Sequence, residues 1–278
     1  MSNRSLHLSI PLSLAYWSGI ALLVVIMLLP FAWMIGTSLM DELGVFRYPP
    51  PILPNPIRPQ NYPEALTALP FGRFFVNSLV FALSCVVGQV GTSALAAYAL
   101  ARLDFPGRDR LLMLVLSVLM IPAIVLLIPR FLLVSALGWV DTVPGLISTE
   151  LVSVWGIFLL RQFFLSIPRD LEDAARLDGA GEWKVFTRIV LPLSRPALAT
   201  LALFAFVDAW KNFQWPLIVT RSMEMRTVEV GVAAFHSYYY ANWPYQMAAA
   251  VAATVPILIL FFVTQRAFVR GILLTGMK

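Results

Sequence analysis

Long runs of apolar residues, separated by shorter polar segments, follow one another along the chain. A membrane-spanning helix needs roughly 20 predominantly apolar residues. The first run is too long for the core of a signal peptide and lacks a small-residue cleavage site, so we interpret it as a retained span. The pattern predicts an all-α, polytopic membrane protein with six transmembrane helices, placed at about residues 14–39, 74–101, 111–133, 143–160, 197–219 and 247–269.

Two of the segments between the runs have distinctive compositions. Residues 40–73 are rich in proline, which favours an extended loop. Together with the first span this loop makes up an N-terminal part (1–73), and a core (74–278) follows it. Residues 220–246 contain aromatic residues that suit either a membrane interface or a ligand, namely Tyr238, Tyr239, Tyr240, Trp243 and Tyr245. Prolines within the spans predict helix breaks of the kind that transporters contain, at Pro122, Pro129, Pro216 and Pro256.

The charged residues are few, and their distribution predicts an orientation. Hydrophobic residues make up 59% of the chain and charged residues 13%, whereas soluble domains carry about 25% charged residues. In so apolar a chain the net charge of +5 is weak support for nucleic-acid binding. With a cytoplasmic N-terminus, thirteen of the twenty Lys and Arg residues fall on the cytoplasmic side and seven on the other. This excess predicts that both termini are cytoplasmic.

The one long charged segment between the spans, residues 165–195, has the pattern of two short helices. Ser166 is a candidate N-cap for the first helix, and Asp178-Gly179 is a stop signal, because glycine tolerates the left-handed conformation that follows a helix. We expect Pro192 to end the second helix. The segment could lie on the bilayer or on the protein's own spans, but five acids among residues 170–182 argue against adhesion to anionic lipid. We interpret it as a docking surface for a cytoplasmic partner.

This segment also resembles the cytoplasmic signature of permease subunits of carbohydrate-uptake-type ABC importers. That signature runs Glu-Ala-Ala, then a glycine, then a Leu-Pro pair, and Asp173 departs from it by standing where glutamate is usual. The matching residues are Asp173-Ala174-Ala175, Gly179 and Leu191-Pro192. Further similarities extend the resemblance over roughly residues 74–278, through Asn77-Ser78-Leu79, residues 96–102 with Phe105-Pro106-Gly107, residues 161–164 and residues 265–271.

The resemblance implies the type I transmembrane fold of ABC importers and a coupling helix that docks on an ATPase subunit. It implies a multi-pass protein of a bacterial or archaeal inner membrane. Its expected partners are a second, different permease chain, two ATPase subunits and an extracytoplasmic solute-binding protein. The residues assigned to ATPase docking are Glu172, Asp173, Ala174, Ala175, Asp178, Gly179 and Ala180.

We expect this chain to bind no cofactor of its own. The phosphate-cradling pattern Gly-x4-Gly-Lys-Ser/Thr is absent from the sequence. The resemblance implies that ATP and magnesium bind to the partner ATPase subunits. An intramembrane hydrolase, the rival class, would need a nucleophile with a base or closely spaced metal ligands. The distant His7 and His236 and the single Cys85 offer neither arrangement.

The implied cargo is a mono-, di- or oligosaccharide, with glycerol phosphate or another polar solute as the alternative. Sugar sites combine aromatic faces with a few polar groups, although aromatic residues in a span also serve packing. A phosphate-bearing cargo would require basic residues, for which Arg130 and Lys211 are the candidates. The candidates for the substrate pathway are Asp208, Trp210, Asn212, Phe213 and Trp215.

Overall fold

The computed structural model describes residues 10–49, 51, 53–236 and 242–275, and it describes side chains between residues 16 and 265 of these ranges. The described part of the chain is helical and contains no strand. Its α-helices are α1 (Ile10–Ser38), α2 (Asn61–Ala68), α3 (Phe71–Arg102), α4 (Arg108–Ser117), α5 (Leu127–Ala136), α6 (Val143–Ile147), α7 (Val154–Leu165), α8 (Asp170–Leu177), α9 (Glu182–Val185), α10 (Leu191–Leu193), α11 (Arg195–Trp210), α12 (Gln214–Val219), α13 (Val228–Ala233) and α14 (Trp243–Thr275). The interfacial candidates Tyr238, Tyr239 and Tyr240 lie outside the described residues.

The chain divides into two compact units. One comprises Met1–Leu69 with Val232–Ala252, and the other comprises Pro70–Gly231 with Ala253–Lys278. The sequence placed a single boundary at residues 73 and 74. The structure places the first boundary four residues earlier and joins a second segment to the N-terminal unit. The polar loop and the cavity described below both lie in the second unit.

Three single helices and three bent helix pairs have the length and composition of membrane spans. The unbroken ones are Tyr16–Ser38 within α1, α3, and Trp243–Gln265 within α14. The pairs Arg108–Met120 with Ala123–Ala136, Val143–Glu150 with Val154–Leu165, and Glu182–Leu193 with Arg195–Trp210 are bent by 95°, 44° and 76°. Six spans result if each pair counts as one, which agrees with the predicted number. The fifth differs in position, because its membrane-length helix ends at Trp210, whereas the sequence predicted a span over 197–219, and its first half, Glu182–Leu193, belongs to the predicted polar loop.

Proline breaks the helices at fewer places than the sequence predicted. Pro122 lies at the 95° bend, as expected. Pro129 and Pro216 instead lie in the first turns of α5 and α12, where the missing N–H would have no partner within the helix in any case. Pro256 lies inside α14, which continues through it to Thr275.

Of the two predicted limits of the loop helices, the first differs from the structure and the second agrees with it. Ser166 does not cap α8, because its hydroxyl donates to the carbonyl of Phe163 at the end of α7 (2.7 Å), and α8 begins only at Asp170. Pro168 disfavours a helical conformation at the residue before it, which delays that start. The second helix runs through a π turn, Phe186–Val190, and ends at Leu193, one residue after Pro192 and so close to the predicted position. The widened turn accommodates a proline ring that a regular α-helix would clash with.

The core of the second unit forms where α3 crosses α7 and α11. Small residues on α3 permit a close approach of the helices, and the buried cluster contains Ala94, Ala97 and Ala101 of α3 beside Leu160 of α7 and Leu201 of α11. Many apolar side chains away from this crossing are exposed. They form the surface that a helix bundle presents to lipid.

We expect Gly156→Ala to destabilise the crossing by about 1–3 kcal/mol, the usual cost of overpacking. A Cβ at this first-turn position of α7 would lie 2.6 Å from Ser93 Oγ and 2.9 Å from Leu201 Cδ1. Thermal unfolding in detergent measures the effect. Gly72→Ala is the control, because nothing lies within 4 Å of its added methyl group. Equal midpoints for the two variants would contradict the close approach.

Candidate functional site

The loop helix α8 presents one face to the outside of the chain and buries the other. Leu177 is 90% exposed and Leu171 is 47% exposed. Asp173, Ala174 and Asp178 are exposed on the same side. This outward face therefore offers apolar contact area edged by acids to another protein.

The opposite face of α8 is fixed to the spans by a buried ion pair. Glu172 is 1% exposed, and its Oε1 lies 2.9 Å from Arg102 Nε at the end of α3. Arg102 Nη2 also donates to the carbonyls of Phe164 (2.6 Å) and Ile167 (2.7 Å), just where α7 ends. One guanidinium thus joins α3, α7 and α8. Lysine, with its single compact charge, lacks the planar fork that makes these contacts.

A second polar contact holds the turn after α8. Arg176 Nε donates to Glu182 Oε1 (2.9 Å), and the Tyr98 hydroxyl of α3 donates to Glu182 Oε2 (2.6 Å). The bond from Arg176, together with that from Tyr98, holds the pKa of the Glu182 carboxyl below its usual value. The Tyr98 ring packs on Phe186 with centroids 4.9 Å apart. The loop is therefore held to α3 at both of its helices.

The turn between the two loop helices depends on a glycine. Gly179 has φ +79°, a left-handed conformation that side chains with a Cβ disfavour. Its N–H donates to Arg176 O (3.0 Å), and the N–H of Ala180 donates to Ala175 O (2.9 Å), which closes the end of α8. No atom lies within 4 Å of the position that a Cβ would occupy. The requirement for glycine here comes from the backbone and not from crowding.

The predicted docking residues therefore divide into three groups by exposure. Asp173, Ala174, Asp178 and Gly179 are exposed, and Ala175 and Ala180 are half-buried. Glu172 differs, because its side chain points inward and pairs with Arg102. Sequence reasoning grouped it with the acids of the loop, since it could not tell which acid would meet a buried cation.

A cavity of about 580 Å³ lies at the other end of α11 from this loop. Asp208 is 13 positions beyond Arg195 along α11, about 20 Å at the helical rise of 1.5 Å per residue. The residues lining the cavity are Ala123, Leu127, Arg130, Glu150, Phe204, Val207, Asp208, Lys211, Asn212, Phe213, Gln214 and Trp215.

Arg130, in the wall of this cavity, contacts three other residues. Its guanidinium donates to Glu150 and to Thr149 Oγ1 (2.8 Å), and it lies 4.4 Å from the centre of the Trp215 ring. The indole N–H of Trp215 donates to Leu146 O (3.0 Å), which fixes the ring. A cation over an aromatic face is itself stabilising. The polar groups in this part of the cavity wall are therefore held in place by contacts with one another.

Four of the five predicted pathway residues line this cavity. Asp208, Asn212, Phe213 and Trp215 are among its walls, although the Trp215 side chain is itself buried, with Arg130 over its ring. Trp210 is not among the walls, because it stacks on Phe206 and donates to Ala253 O (3.1 Å). Trp210 thus serves packing. Glu150 was missed, because it follows a short helix far from α11 in sequence. Among the described residues, no group of three or more His, Cys, Asp and Glu side chains could hold a metal ion.

The chain matches a known family over most of this region. Residues 89–273 match the family described as binding-protein-dependent transport system inner membrane component, and the chain belongs to that family. It is therefore the multi-pass permease subunit of an ABC importer, in which separate ATPase subunits hydrolyse ATP. This confirms the predicted class and the absence of an enzymatic role for the chain itself.

Individual relatives and structures agree with this class. The arabinooligosaccharides transport system permease protein AraQ of Bacillus subtilis (strain 168) is 38% identical over 206 residues, which are 74% of this chain and 73% of AraQ. The sn-glycerol-3-phosphate transport system permease protein UgpE of Rhizobium meliloti (strain 1021) is 32% identical over 261 residues, which are 91% of this chain and 93% of UgpE. A chain of a bacterial ABC transporter involved in the import of the acidic polysaccharide alginate superposes with TM-score 0.82 at 23% identity, covering 96% of this chain and 99% of that one. The last comparison confirms the predicted fold.

We expect Arg102→Lys to lower the free energy of unfolding by about 3 kcal/mol or more, because it leaves Glu172 or a carbonyl buried without its partner. Thermal unfolding in detergent measures the loss. Arg108→Lys is the matched control, since its partner Asp104 is 83% exposed and surface pairs contribute about 1 kcal/mol or less. Replacing both members of the buried pair, with Arg102→Met and Glu172→Leu, should recover part of the loss. A double variant less stable than Arg102→Lys would contradict this account.

Proposed function

We propose that this chain forms one half of the path by which an ABC importer carries a sugar across the inner membrane of a bacterium or archaeon. An extracytoplasmic binding protein delivers the sugar, and a second, different permease chain forms the other half. The observation that carries the sugar assignment is the composition of the cavity near Asp208.

The cavity combines apolar faces with a balanced set of charges. Its two basic residues, Arg130 and Lys211, are matched in number by the acids Glu150 and Asp208. Arg130 is already engaged by Glu150. Phe213 adds a ring that is 40% exposed, and Asn212 and Gln214 add amide groups. Neutral polyhydroxyl compounds suit such a mixture of ring faces and hydrogen-bonding groups.

A phosphate-bearing solute is the second candidate. It is favoured by the similarity to UgpE over 91% of this chain. A phosphate group prefers an excess of basic donors, and the lining residues supply no such excess. The similarity to AraQ, which is named as a permease for arabinooligosaccharides, supports a sugar as the cargo. We therefore propose a neutral saccharide as the cargo. Uptake of a phosphate-bearing solute is the alternative result of the transport assay described below.

The outward face of α8 is the proposed contact with an ATPase subunit. Asp173 and Asp178 provide charge, Ala174 permits close packing, and Leu177 supplies apolar area. Two ATPase subunits would bind ATP and magnesium, with one engaging this chain and the other its partner permease. This assignment places residues 165–195 and both termini in the cytoplasm, in agreement with the excess of Lys and Arg in those segments.

We expect Gly179→Val to uncouple the complex, because valine strains the left-handed turn that orients α8. ATP-driven uptake should fall by about tenfold, as a strain of 1–2 kcal/mol implies. The protein should still insert in the membrane. Gly179→Asn is the control, since asparagine tolerates this conformation. Full uptake by the valine variant would show that the turn does not orient a docking surface.

A transport assay with purified complex in proteoliposomes tests the cargo. We expect uptake of an arabino-oligosaccharide, and Asp208→Asn should reduce it by about tenfold, the order expected from losing a hydrogen bond to a charged group. Asp109→Asn is the control, because that carboxylate is 78% exposed outside the cavity. Uptake of glycerol 3-phosphate in place of the saccharide would favour the second candidate.

A further inference from the structure

Two polar residues near the start of α3 hold a distant segment of the chain. Asn77 Nδ2 donates to the carbonyls of Glu224 (2.7 Å) and Arg226 (2.9 Å), and Ser78 Oγ accepts from the N–H of Val228 (2.8 Å). Asn77 is 7% exposed and Ser78 is 1% exposed. All three bonds are made to backbone atoms, so they fix the path of residues 224–228 whatever side chains that segment carries.

Residues 224–228, which we call the outer segment, have little regular structure of their own. They comprise the end of a 3-10 turn, Met223–Met225, and the start of α13. Just before them, Asp141 Oδ1 accepts from the N–H groups of Arg221 (2.7 Å) and Ser222 (3.0 Å). The position of the outer segment is therefore set by side chains from other parts of the fold.

Helix α3 connects this attachment to the cytoplasmic loop. It is unbroken over 32 residues, unlike the three bent pairs. Asn77 and Arg102 are 25 positions apart, which is about 38 Å along a helix, more than the roughly 30 Å of a bilayer's hydrocarbon core. The two ends of α3 are therefore far enough apart to lie on opposite sides of a membrane. At one end, Arg102 and Tyr98 contact the loop that carries α8 and α9. At the other end, Asn77 and Ser78 form hydrogen bonds with the outer segment.

We propose that Asn77 and Ser78 are positioning residues that make the outer segment move with α3 when an ATPase displaces α8. The inference rests on the proposed docking function of α8. Rigid elements joined by hydrogen bonds can carry such a displacement between distant sites. The conformation of the outer segment, on the side where the binding protein delivers its cargo, then follows the nucleotide state of the ATPase.

The single cysteine of the chain makes a direct test possible. Cys85 is fully buried, so Glu224→Cys introduces one exposed thiol in the outer segment while leaving its backbone carbonyl in place. The complex, purified through a tag on this chain and reconstituted in proteoliposomes, is treated with a membrane-impermeant maleimide. The labelling rate of this chain is measured with and without ATP and vanadate, which hold the ATPase subunits closed.

We expect ATP with vanadate to change the labelling rate of the thiol introduced by Glu224→Cys, the reporter, by about tenfold. A tenfold shift in the equilibrium between two conformations of the outer segment corresponds to the free energy of one or two hydrogen bonds. Adding Asn77→Leu should abolish that change while ATP hydrolysis continues. Ser78→Ala, a smaller perturbation, should reduce the change. Ser117→Ala should leave it intact, because the Ser117 hydroxyl donates only to Leu114 O of its own helix.

Three results would overturn the inference. In the first, the reporter responds fully in both the Asn77→Leu and Ser78→Ala variants. In the second, the reporter in the otherwise unsubstituted chain does not respond although ATP is hydrolysed. In the third, both variants lose ATP hydrolysis together with assembly, which would make the two residues merely structural. Failure of the proposed docking is recognised separately, because a full reporter response in Gly179→Val would show that α8 is not the element through which the ATPase acts.

Discussion

A charge removed from water must be matched by partners of opposite sign or by hydrogen-bond acceptors, and Arg102 is where this constraint governs the structure. Its guanidinium meets one carboxylate and two carbonyls in a nearly dry environment. Because those partners belong to α7, to the turn after it and to α8, their positions relative to α3 are specified together. The loop for which we propose ATPase docking is consequently fixed to the spans by buried polar contacts.

The same principle operates at the other end of α3, with neutral groups. Asn77 and Ser78 satisfy the backbone of a segment that lacks helical partners of its own, where an unpaired buried group would be costly. Between the two attachments, small residues let α7 and α11 approach α3 closely. One unbroken helix thus organises the loop, the helix crossing and the outer segment, and the cavity lies beside the helices that pack on it.

Particular residues show how far sequence reasoning reached. The number of spans, the two loop helices and the glycine turn at Gly179 follow from local patterns, and the structure agrees with them. Ser166 was misread because capping rules describe a single helix, whereas Pro168 delays the start of α8 to Asp170. Trp210 and Trp215 are alike in sequence terms, yet one packs between helices and the other lines the cavity. Which side of a span an aromatic ring faces depends on the neighbouring helices.

The sequence by itself determined the class of the protein, because apolar runs, scarce charge and the spacing Asp173-Ala174-Ala175 to Gly179 are local properties. Only the tertiary structure decided which polar residues act together. Arg102 looked like one more cytoplasmic positive charge, and Glu172 like one more acid on a docking face. The structure brings the two together from positions 70 residues apart, since a buried charge is tolerated only where the fold supplies its partner.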